Sequence, residues 1–120
     1  MEYSGDMSYI LKIIAQREFV AVPVEGVLTL EVLQNHVGGL IEICYNAARA
    51  TPPGLTALCD EDGLRKGLDP VMMSATHGMI VGPVVWVIHK GEHFVPMSQS
   101  QKREATKFLS NQGFTETILH

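Results

Sequence analysis

The residues most able to do chemistry fall in one stretch, Cys59-Asp60-Glu61-Asp62-Gly63, followed closely by Arg65-Lys66. Three acids in a row before a glycine invite a calcium reading, and their spacing rejects it. A calcium loop of the EF-hand kind draws oxygen ligands from alternate positions, with glycine at the sixth and glutamate at the twelfth. Here glycine comes too early and the closing glutamate is missing. His89 and His93 flank a turn with Glu92 nearby. A three-residue loop would let them face each other and a two-residue loop would put them on opposite faces; without a third ligand neither gives a zinc site. Cys59 precedes Asp60 and Glu61, whose charges disfavour a thiolate nucleophile. Gly38-Gly39 ends an apolar helical run, whereas phosphate-binding glycine loops open helices. The expectation is a protein that is not an enzyme, with no cofactor and no metal. Charge is the chemistry left over. Arg65 and Lys66, with Lys102, Arg103 and Lys107 further on, could serve a small anion if the fold brings them together.

The elements that must position these groups follow from local pattern. Asp62-Gly63 is a favoured pair for a two-residue hairpin turn, which predicts a β-hairpin over Leu55–Leu68 with Asp60, Glu61 and Asp62 facing Arg65 and Lys66. Tyr9–Ile14 and Glu18–Val24 read as two antiparallel strands joined at Gln16-Arg17. Thr29 is a helix N-cap with Glu31 in the first turn, Leu30, Leu33 and Val37 share one face, and Gly38 supplies the stop. His36 stands in the last turn, where a positive charge is favoured. Leu40–Tyr45 is a strand in which Glu42 is out of place, either on a solvated edge or lining a pocket. Val71–His77 is a short helical turn or an irregular loop. Met79–His89 is the strongest strand, with Gly82-Pro83 implying a bulge or an edge. Ser98 with Gln101 makes a capping box for a closing helix that Gly113 ends. Phe114–Leu119 is a last edge strand or a tail for a partner subunit. The order predicts an α+β domain, a largely antiparallel sheet of five to six strands with two helices packed on one face.

The chain has 120 residues, of which 46% are hydrophobic, and this suits one domain with one core, residues 9–120 after a flexible start at 1–8. A net charge of −4 argues against duplex nucleic acid as a partner. The longest apolar run, Met79–Ile88, is too short for a bilayer, and the N-terminus lacks a signal-peptide pattern, so a cytoplasmic protein is expected. Cys44 and Cys59 fall in predicted strands as free, buried thiols.

Three blocks carry a resemblance: Leu30–Glu42 with its Val-Gly-Gly and Ile-Glu, Cys59–Pro70 with its Asp-Glu-Asp-Gly, and Ile80-Val81-Gly82. In that order and spacing they resemble a family of small proteins of bacterial phages, plasmids and other mobile elements, known only as a domain of unknown function. The resemblance spans about Tyr9 to Leu109. It departs after Leu68, where Asp69-Pro70-Val71 replaces the usual Pro-Asn. It implies a mobile-element context and a set of pocket or fold residues: Gly39, Glu42, Asp60, Glu61, Gly63, Lys66, Gly67 and Gly82. Arg103 joins them on the charge argument. By analogy with small phage proteins that act against host defence, the expected function is a homo-oligomer that binds a small anionic, nucleotide-like molecule, a cyclic nucleotide among them. Sequestering it would blunt a host defence signal, in the host cytoplasm if the protein is phage-encoded. The alternative is a module that inhibits a host protein through a sheet edge or the C-terminal helix.

Overall fold

A computed structural model describes residues 7–25, 27–46, 52–74 and 78–118. The chain runs β1 (Ser8–Ala15), β2 (Glu18–Val24), α1 (Leu30–Val37), β3 (Ile41–Asn46), β4 (Leu55–Asp60), β5 (Pro70–Ser74), β6 (Gly78–Val81), β7 (Val84–Lys90), β8 (His93–Val95), α2 (Gln99–Asn111) and β9 (Thr115–Glu116). The class is α+β. The main sheet has the order β3-β4-β7-β1-β2-β9, with β8 also on β7, and β5-β6 form a separate two-stranded sheet. Every pair is antiparallel except β2 with β9. Ser8 already belongs to β1, and the rest of the expected flexible start lies largely outside the described residues.

β7 sits at the centre because its sequence is apolar at every position from Val84 to Ile88, as a strand covered on both faces must be. Trp86 and its even-numbered neighbours Val84 and Ile88 share a cluster with Leu11, Ile13, Leu55, Ala57, Ala105 and Leu109. Val85 and Val87 share another with Ile10, Leu58, Leu33 and Val37. Since neighbouring strand residues point to opposite faces, α1 and α2 cover opposite faces of the sheet. The expected placement of both helices on one face is thereby corrected. The physical reason lies in β4 and β7, whose two apolar faces each need a cover. On the α2 side the cover is completed by β5-β6, through Val71 and Ile80.

The predicted hairpin at Asp62-Gly63 does not form either. β4 takes β3 and β7 as its neighbours, and residues 61–67 wind through successive turns. The chain there closes on itself, Gly63 N–H donating to the Asp60 carbonyl, Lys66 N–H to Asp62 and Leu68 N–H to Gly63. Leu64–Leu68 contains no β-branched or aromatic residue that would favour a strand over those turns. Val71–His77, read as a helical turn or loop, is strand β5 as far as Ser74, with 75–77 outside the described residues, and the long strand Met79–His89 divides at Gly82-Pro83 into β6 and β7, one in each sheet.

The helix ends follow the sequence closely. The Thr29 hydroxyl accepts from Val32 N–H at 3.2 Å, and Gly38 ends α1 with φ 95°. Ser98 and Gln101 form both halves of the capping box. At the far end Phe114 N–H donates to Leu109 and Gly113 N–H to Ser110, a Schellman closure. His36 is in the last turn of α1, but burial, then Lys12, lower its pKa, so it brings little charge there. Cys44 and Cys59 are free and buried. A hydrogen bond with Cys59, together with burial, pushes the Cys44 thiol pKa far up.

Candidate functional site

The sequence-predicted site residues divide into a clasp and a scatter. Asp60, at the end of β4, is buried, and its carboxylate accepts from Lys66 Nζ at 2.6 Å and from Asp62 N–H at 2.9 Å. Lys66 Nζ also donates to the Gly38 carbonyl at 3.1 Å, so one ammonium ties the turns of 61–67 to the end of α1. Gly39 lies under this contact. A Cβ there would stand 2.7 Å from Asp60 Oδ2 and 2.8 Å from Lys66 Nζ. Burial raises the Asp60 pKa, but Lys66, Asp62 N–H and Arg65 outweigh it and hold the carboxyl below its usual value. The Val-Gly-Gly and Asp-Glu-Asp-Gly blocks thus meet in space, and what they build is a fastening.

The remainder do not join the clasp as one pocket. Glu61 is exposed, its N–H donating to the Leu40 carbonyl. Glu42 faces out on β3, Gly67 lies at an exposed turn, and Gly82 packs against Leu68. Arg103 is exposed on α2. The cations have separate partners, Arg65 pairing with Asp62 at 3.1 Å and Lys102 standing 5.0 Å over the Tyr9 ring. His89 stacks on Phe94, its cross-strand partner, 4.8 Å between ring centres, while His93 pairs with Lys90. Among the described residues no group of three or more His, Cys, Asp or Glu could hold a metal ion.

A cavity of about 420 Å³ opens elsewhere, between the C-terminal half of α2 and strands β5 and β6. That is within the usual range of small-molecule sites. Its buried wall is Trp86, with Tyr45 and Phe108 packed around it at ring separations of 5.5 and 6.1 Å. Phe114, Met72, Met73 and Met79 add further apolar surface, and the exposed lining residues Gln16, Arg17 and Gln112 form the mouth.

Two details set this cavity apart from ordinary core. The indole N–H of Trp86 is buried and finds no acceptor among the described residues. Such an orphaned donor costs about 1–3 kcal/mol, and it lies beneath the surface that the cavity exposes. Arg17, in the turn between β1 and β2, holds φ 63° and is the one non-glycine residue with positive φ among those described. Its carbonyl accepts from Thr115 N–H at 2.8 Å, and its guanidinium lies against Gly113, where a Cβ would come 2.8 Å from Nη1. No carboxylate among the described residues pairs with it.

Sequence reasoning missed this site because its members come from six separated segments. The available signals were the lone tryptophan in the strongest strand and an arginine in a tight turn that glycine or asparagine would occupy more easily.

A family model described as "Domain of unknown function (DUF3846)" matches residues 7–110. The chain belongs to this family. The DUF3846 match runs from the start of β1 almost to the end of α2, so it takes in the clasp and most of the cavity lining, Gln112 and Phe114 lying beyond it. No curated protein and no solved structure matches the chain.

Proposed function

We propose that this domain is a non-catalytic binder of a small anionic, nucleotide-like molecule, which it holds in the cavity between α2 and β5-β6. The observation that carries the reading is the cavity's combination of parts. Aromatic walls suit a planar ring, and a guanidinium with no carboxylate partner among the described residues suits an anion. In a mobile-element setting, a domain that holds such a ligand without turning it over acts by withholding it, which would blunt a host defence signal. The same reading expects a homo-oligomer.

The test is a thermal-shift panel of nucleotides, cyclic nucleotides and ADP-ribose derivatives on the purified protein. A ligand at about 100 times its Kd stabilises by about 2.7 kcal/mol, so a selective shift with the ligand recovered intact supports the reading. A ligand recovered chemically changed overturns the non-catalytic part, and a panel without any shift overturns the whole.

One observation favours a protein partner instead. β3 is an edge of the main sheet, and Leu40 and Ile43 are exposed along it. A bulge between Ile43 and Tyr45 and the carboxylate of Glu42 blunt that edge against strand addition. The empty panel would move the proposal there.

A further inference from the structure

We infer that the cavity selects a nucleobase bearing a single negative charge, the class of the nucleoside cyclic monophosphates, over polyphosphates and dinucleotides. The inference rests on the binding reading above and narrows it. Charge is the first argument. Among the described lining residues Arg17 is the only cation and there is no acid. One guanidinium matches one phosphodiester charge, whereas each further phosphate would find no second cation among the described lining residues.

Shape and polarity give the second argument. A 420 Å³ cavity walled by Tyr45, Trp86 and Phe108 takes one planar base with its sugar. The amides of Gln16 and Gln112, both exposed beside Arg17, can donate to phosphate oxygens or read an exposed base edge.

Trp86 is the only tryptophan in the chain, so its fluorescence reports occupancy of this cavity directly. The experiment titrates the full chain with the four common nucleoside cyclic monophosphates, the matching neutral nucleosides, the nucleoside triphosphates and a cyclic dinucleotide. Arg17→Gln is run in parallel, its folding checked by thermal melting. The expected result is saturable quenching by at least one cyclic monophosphate, tighter than by its triphosphate or by the dinucleotide. Arg17→Gln should weaken that ligand about tenfold and change the neutral nucleoside by no more than about twofold. Tighter binding of triphosphate or dinucleotide overturns the selectivity while leaving the binding reading intact. Equal loss of nucleoside and cyclic monophosphate in Arg17→Gln overturns the assigned role of Arg17. No response to any compound overturns both.

Discussion

Lys66 and Arg17 are cations in contrasting surroundings, and the difference assigns them different work. Lys66 is committed, its ammonium lying between a buried carboxylate and a helix-end carbonyl. Lys66→Met would strand the Asp60 carboxylate and should lower the unfolding free energy by about 1–3 kcal/mol in urea titrations, with ligand affinity unchanged. The same pair sets an acid sensitivity. Because the folded pKa of Asp60 lies below its unfolded value of about 4, its ionised form adds stability that is lost as pH falls through the folded pKa. Asp60→Asn should flatten that acid limb in denaturation curves recorded between neutral pH and about pH 2. Arg17, by contrast, holds a left-handed backbone and stands against the C-terminal end of α2. Glycine would relieve the backbone and forfeit about 0.3–1 kcal/mol of favourable charge at the helix end. Arg17→Gly should therefore melt close to the parent protein while losing affinity for an anionic ligand, a separation that calorimetry and titration would show.

The elements show where sequence is a sufficient guide and where it is not. Both N-caps, the Gly38 stop and the Schellman closure were legible because each is decided within a few residues. Ser98→Ala removes one half of the capping box and should cost about 1 kcal/mol, measured by chemical denaturation. The turn at Asp62-Gly63 was misread because the same dipeptide serves hairpins and compact turns, and the choice fell to distant partners: β7 claims the edge of β4 that a hairpin would have used. Gly39 makes the same point from the other side. Its neighbours Asp60 and Lys66 are far off in sequence, and only the folded chain shows that a side chain would not fit. Gly39→Ala should destabilise by about 1–3 kcal/mol through that overlap, again by denaturation, despite sitting at the surface end of a helix.

At the scale of the whole molecule, the sheet is covered by α1 on one face and by α2 with β5-β6 on the other, and the cavity is the gap in the second cover. Strand content and the antiparallel character could be read from alternating and continuous apolar runs. The side each helix takes could not, because β4 and β7 are apolar on both faces and give no direction. The cavity was hidden for a related reason: Arg17, Tyr45, Met72, Trp86 and Phe108 carry no shared motif and meet only through topology. No helix among the described residues is long and apolar enough to cross a membrane. The central claim, that this cavity receives a small ligand, is tested most directly at the indole of Trp86. The chain has one tryptophan, so a nitrogen–proton correlation spectrum holds one indole N–H signal. Titration with a nucleoside cyclic monophosphate that binds should shift that signal, because a base entering the cavity packs on the Tyr45 and Phe108 rings that surround Trp86. A signal that stays fixed while the ligand binds, with backbone shifts at residues 61–67 instead, would contradict the claim and return the site to the clasp.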